Sequence, residues 1–217
     1  RQLEADAMRA TGKFFKRLHS DNRGAAIIEF AFVAGPMVLL LLGGLELGYN
    51  SYVRSTMQGA LNDAARKAAV EFPIIDVEGD TVSEQVENMI RTTVQHVAPK
   101  AEVKVTPKSY FDFSDIGNPE KLMTDHNGNG EFDAADGDCW EDANRNGAYD
   151  TDAGGDGNGG ADDVVLYTAS VSTPRLLPLH GFIPGVGPNY KLTLKTAVRN
   201  QPYKTQSAPP VICAGAI

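Results

Sequence analysis

The chain has 217 residues, with 20 Lys and Arg against 28 Asp and Glu and a formal charge of −8. That acidic balance, with no basic patch beyond the first 24 residues, argues against a nucleic-acid partner. The length accommodates one folded domain plus a membrane anchor.

Residues 1–24 form a basic leader, in which Arg1, Arg9, Lys13, Lys16, Arg17 and Arg23 outnumber Glu4, Asp6 and Asp21. Residues 25–48 follow as a predominantly apolar run, and roughly 20 such residues suffice to cross a bilayer. No small-residue cleavage site of the signal-peptide kind ends that run, so it reads as an anchor. The excess of Lys and Arg before it predicts a cytoplasmic N-terminus and an exported remainder. Glu29 lies near the start of the run. A charge inside a membrane helix costs about 2.5–3.5 kcal/mol on insertion scales, so Glu29 calls for a counter-charge or a reach to headgroup water. Gly35-Pro36 removes a helical hydrogen bond and predicts a kink or a local melting.

Beyond the membrane, Tyr49, Val53, Met57, Ala60, Leu61, Ala64, Ala65 and Ala68 recur at helical spacing. The anchor should therefore continue over residues 49–72 as the amphipathic outer half of one long helix. Thr81 and Glu84 offer a capping box for a second helix that carries Val82, Val86, Met89, Ile90, Val94 and Val97 and ends before Pro99. Alternation then predicts strands at residues 102–106, 163–173 and 191–199, with Val165, Tyr167, Ala169 and Val171 on one face. Residues 73–217 thus read as an exported α+β domain with a small antiparallel sheet.

An Asp/Asn/Gly-rich insert occupies residues 112–163 and repeats one pattern. Asp125, Asn127, Asn129, Gly130 and Asp133 recur as Asp142, Asn144, Asn146, Gly147 and Asp150. Hard cations such as calcium take six to eight oxygens, which alternate carboxylate and amide side chains in a tight loop can aim at one point. On that scheme Glu131 and Ala148 lend backbone carbonyls, Asp133 and Asp150 take the ninth position, and Asp136 the twelfth of the first loop. In the second loop the twelfth residue is Ala153, so Asp152 or Asp156 must substitute, or that site is weaker. Two calcium ions acting as a structural clamp are expected. The competing reading is a solvated acidic linker.

Cys139 and Cys213 both fall in the exported portion, where they either pair or stay as two thiols. No nucleophile elbow, phosphate loop or zinc helix is present, and His19, His96, His126 and His180 are scattered, so an enzyme is not expected.

Arg23-Gly24, Glu29-Phe30-Ala31, Gly35-Pro36, the leucine run and Leu45-Glu46-Leu47-Gly48, together with Leu192–Tyr203 near the C-terminus, resemble TadE-like proteins, the minor pilins or pseudopilins of the tight adherence type IV pilus. The resemblance implies a pilin-like fold, a prepilin-peptidase cut between Gly24 and Ala25, and Glu29 as the fifth mature residue, which acts in assembly. The new amine of Ala25 would then lie about one helical turn from Glu29. The implied partners are other pilins and inner-membrane pilus assembly proteins. The implied location is the bacterial inner membrane, single-pass, with the C-terminal domain periplasmic. Phe30 departs from the Tyr usual in the major pilins. The alternative reading is an uncleaved, membrane-anchored, calcium-dependent binding or adhesion module.

Overall fold

The computed structural model describes residues 25–181 and 184–215. The basic leader, including Gly24, lies outside the described residues. The first element, α1, is a single 44-residue helix, Ala25–Ala68. At about 1.5 Å per residue it is about 66 Å long. It runs unbroken through Pro36, so the helix does not melt there.

The chain divides into two compact units at Gly48/Tyr49. In the first, α1 presents apolar side chains to the outside: Phe32, Leu40 and Ile27 are among its most exposed residues. No part of its most apolar 18-residue stretch is buried. Residues 25–48 extend about 36 Å, enough for a hydrocarbon core of about 30 Å. This half of the helix is long and apolar enough to cross a membrane.

In the second unit the same helix becomes one-sided. Val53, Met57, Ala60, Leu61, Ala64, Ala65 and Ala68 are buried in the core. The run of alanines keeps this face small, which lets neighbouring elements pack close to the helix backbone. The next helix, α2 (Val82–Gln95), starts at a complete capping box: the Thr81 hydroxyl accepts from the Glu84 N–H, and the Glu84 carboxylate accepts from the Thr81 N–H. Such a cap satisfies two otherwise orphaned donors. Val86, Ile90 and Val94 form its buried stripe.

The strands are β1 (Glu102–Tyr110), β2 (Leu122–Thr124), β3 (Cys139–Glu141), β4 (Gly155–Asp156), β5 (Val164–Pro174), β6 (Asn189–Arg199) and β7 (Val211–Cys213). They make two antiparallel sheets, ordered β4-β1-β5-β6 and β2-β3-β7. The central strand β5 alternates as its sequence dictates, burying Val165, Tyr167, Ala169 and Val171 against the helices. A carboxylate oxygen of Glu87 on α2 accepts from the Val105 N–H of β1 at 3.0 Å, tying helix to sheet. The architecture is α+β, with a long apolar N-terminal helix, a second helix and small antiparallel sheets.

Tyr167 is fully buried, and its hydroxyl donates to Asn158 Oδ1 at 3.0 Å. Burial pushes the phenol up to about 12. An unfolded-state tyrosine ionises near 10, so between roughly pH 10 and 12 the unfolded chain loses a proton that the folded chain keeps. Stability is fully present below pH ~10 and falls by about 2–3 kcal/mol as pH rises toward 12. Denaturant midpoints measured across that range should drop for the native protein. The Tyr167→Phe variant should lose this part of the alkaline drop; an unchanged profile would contradict the assignment.

Candidate metal centre

The insert hangs between β1 and β5, and its two repeats fold into loops with nearly the same internal wiring, differing in one donor to the first Asp. In the first, the two Asp125 oxygens accept from the Gly128 and Gly130 N–H groups, both at 2.7 Å. Asn127 Oδ1 accepts from the Asn129 N–H at 2.9 Å, and Asn129 Oδ1 from the Glu131 N–H at 2.7 Å. In the second, the Asp142 oxygens accept from the Asn146 and Gly147 N–H groups at 3.1 and 2.9 Å. Asn144 Oδ1 accepts from the Asn146 N–H at 3.0 Å, and Asn146 Oδ1 from the Ala148 N–H at 2.7 Å. Gly130 and Gly147 sit at φ 79° and 80°, in the left-handed region that a side chain resists, which is why each repeat places glycine there.

The remaining residues proposed from the sequence are distributed unevenly. Asp136 accepts from the Asn127 side-chain amide, so it closes on the first loop. Asp133 instead caps a short 3-10 turn, Ala134–Asp136, through the Ala135 N–H. Asp150 accepts from the side-chain amides of both Asn144 and Asn146. Asp152 is engaged elsewhere: Lys108 Nζ lies 2.6 Å from one oxygen, and the Tyr110 hydroxyl donates to the other at 2.9 Å. Burial raises the Asp152 carboxyl, but these two partners outweigh it and hold the group below its ordinary value. Asp156 lies in β4, whose glycine neighbour Gly155 approaches Asn144. Among the described residues no three Asp, Glu, His or Cys side chains form a ready metal cluster. A cation in either loop would therefore depend on the Asn amide oxygens as well as the carboxylates.

Two buried acids complete the wiring, and sequence reasoning passed over both. Asp138 is fully buried; its oxygens accept from the His126 and Asp133 N–H groups, both at 2.9 Å. Glu120, 2% exposed, accepts from the Ala143 and Asp150 N–H groups at 2.9 and 3.1 Å. Each acid thus spans the second and ninth residues of one loop, from outside the repeat. Donation by the His126 and Asp133 amides holds the Asp138 carboxyl below its ordinary value against the effect of burial. For Glu120 burial wins and raises the carboxyl, although the Asp150, Ala143 and Asn144 amides oppose it.

Aromatic rings fill the space between the loops. Phe132 and Tyr149, each the eighth residue of its repeat, stack with centroids 4.2 Å apart and planes 15° apart. Trp140 of β3 meets both rings edge-on, at 5.1 and 6.3 Å. The Cys139–Cys213 disulfide joins facing positions of β3 and β7 beside this cluster.

Glu29 and Ala25 lie far away in sequence, in the first unit. Ala25 is the first described residue of α1, and the Glu29 side chain is exposed on that helix.

A helix long and apolar enough to cross a membrane, continuing into the α+β unit, fits a single-pass membrane anchor. Residues 24–66, which take in nearly all of α1, match the family model described as TadE-like protein. No curated protein and no solved structure compared with the chain matches it. The TadE-like match and the apolar helix fit a membrane-anchored component of the tight adherence pilus system, a family that is structural rather than catalytic. The paired loops lie outside the matched residues.

Proposed function

We propose that this protein is a minor pilin or pseudopilin that helps to assemble, prime or cap a tight adherence pilus, with its exported domain stabilised by calcium. The observation that carries the reading is the TadE-like match falling on an uninterrupted apolar helix whose N-terminal turns hold the acid Glu29. The helix joins a helical core with other pilins, delivered by inner-membrane assembly proteins. A prepilin peptidase cuts between Gly24 and Ala25, and the freed amine, or that of a neighbouring subunit, pairs with Glu29. The domain then stands on the periplasmic side of the bacterial inner membrane.

Glu29→Val removes the charge and leaves the apolar helix, so membrane insertion should persist while incorporation into filaments falls at least tenfold. Membrane fractionation and quantification of sheared pili read the two effects separately. Normal piliation in this variant sinks the assembly role.

Two calcium ions are assigned to the loops, through Asp125, Asn127, Asn129, Glu131, Asp133 and Asp136 in one and Asp142, Asn144, Asn146, Ala148 and Asp150 in the other, with Asp152 a further candidate. The doubled spacing and the near-identical loop wiring support that reading. Binding to the folded state alone would add about 2.7 kcal/mol of stability at one hundred times the dissociation constant. Chelation should therefore speed proteolysis between residues 128 and 160. A digestion pattern indifferent to chelator removes calcium from the account.

A second reading has one observation in its favour. A cleft of about 500 Å³ opens between the insert and the C-terminal tail, lined by Tyr110, Asn144, Arg145, Asp156, Tyr203 and Lys204 among others. Its polar lining suits an uncleaved, anchored adhesion module. The mature N-terminus decides between the readings: Ala25 favours the filament, whereas a retained leader favours the fixed anchor.

A further inference from the structure

Between Glu131 and Asp133 sits Phe132; between Ala148 and Asp150 sits Tyr149. Each ring is thus flanked by the two backbone positions that must settle when its loop closes around a cation. The rings stack on one another, and Trp140 packs edge-on against both. Trp140 belongs to β3, the short strand that separates the repeats in sequence, and β3 is pinned on one side by β2 and on the other by β7 and the disulfide. The buried acids tighten the same region. Asp138 adjoins β3 and fixes two amides of the first loop, while Glu120 precedes β2 and fixes two amides of the second. Neither loop can shift its eighth residue without disturbing the ring of the other.

From this shared aromatic hub we infer that the two loops are one thermodynamic unit, so that a cation bound in either raises the affinity of the other. The inference rests on the calcium reading above and adds the coupling between its two sites. Ordering the first loop fixes the Phe132–Trp140–Tyr149 cluster, and the second loop then closes on a surface already set. The coupling is reciprocal, and a factor of about ten is typical of such linkage.

The test uses the full chain in detergent micelles, titrated with calcium chloride alone and followed by heat and by the fluorescence of Trp140, the single tryptophan. Two ions should enter in one transition with a Hill coefficient of about 1.5, the value for two sites coupled tenfold. Asp125→Asn, which disables the first loop at nearly constant volume, should leave one ion binding about threefold more weakly than the native midpoint. Tyr149→Ala should take two ions with a Hill coefficient near 1, and Tyr149→Phe, which keeps the ring, should restore the native curve. If Tyr149→Ala does not fold, the Asp125→Asn comparison decides alone. Two ions binding the native protein independently, or an Asp125→Asn site as tight as the native midpoint, overturns the coupling and leaves calcium standing. No uptake by the native protein at millimolar calcium overturns both.

Discussion

Replacing Cys139 and Cys213 by serine should lower the stability of the second unit by about 4 kcal/mol. The disulfide closes a loop with a sequence separation of 74 residues, and the entropy it removes from the unfolded chain sets that figure. Its loss also loosens a specific set of contacts. β7 is held to β3 by a register of only three residue pairs, and the Ala214 N–H donates to the carbonyl of Asp138 at 2.9 Å. Without the covalent tie the tail frays, and the burial of Asp138 and Trp140 goes with it. At about 2–4 °C per kcal/mol for a domain of this size, the melting temperature should fall by about 8–16 °C. Thermal melts of the double variant, and of the native chain with and without reductant, measure this directly. A shift of only a degree or two would mean that hydrogen bonds and ring packing alone hold the insert together.

Leu61→Ala should be nearly as severe, at about 2–5 kcal/mol. Leu61 is fully buried on α1, within a stripe otherwise made largely of alanine, and it supplies much of that face's bulk alongside Met57 and Val53. The cavity left behind has little means of collapsing. The backbone on one side is an uninterrupted helix, and on the other lie the rigid, β-branched faces of α2 and the sheet. The fair control is Asp63→Ala, two residues along and so on the outer surface of the helix. There an exposed pair with Lys67 at 3.0 Å contributes a few tenths of a kcal/mol. Denaturant unfolding of the two variants should separate them by several-fold in free energy; equal losses would place the core elsewhere.

Long, repetitive signals in this chain were legible before any coordinates. The stripe from Val53 to Ala68, the Thr81 and Glu84 cap and the alternation along β5 each follow from one local rule repeated over two or more turns or residue pairs. The short strands were not. β2, β3 and β7 span three residues each and β4 two, too few for a period to show, and they exist because of partners far off in sequence. The loops divide in the same way. Their Asp/Asn/Gly spacing is visible as text, and so is the aromatic residue that both repeats carry in eighth place, Phe132 and Tyr149, but that the two rings stack is not. Glu120 could not be found by spacing, because it lies outside the repeat, behind Pro119, and gains its place only when β2 pairs with β3. Asp138 is hidden for the opposite reason: it stands among so many acids that only burial distinguishes it from them.

The neck of the insert has a consequence of another kind. The last residue of β1, Tyr110, is directly paired with the first of β5, Val164, so the insert opens and closes at one point, while its own strand β4 lies back along the edge of β1. Arg199 at the end of β6 clasps that point, reaching Asp112 on the way out at 2.7 Å and Asp162 on the way back at 3.4 Å. Lengthening such a connection is thermodynamically mild, at about 0.6 kcal/mol for each doubling. The insert is therefore clasped at its neck by Arg199 and docked again through β4, so that loops and sheet hold each other in place.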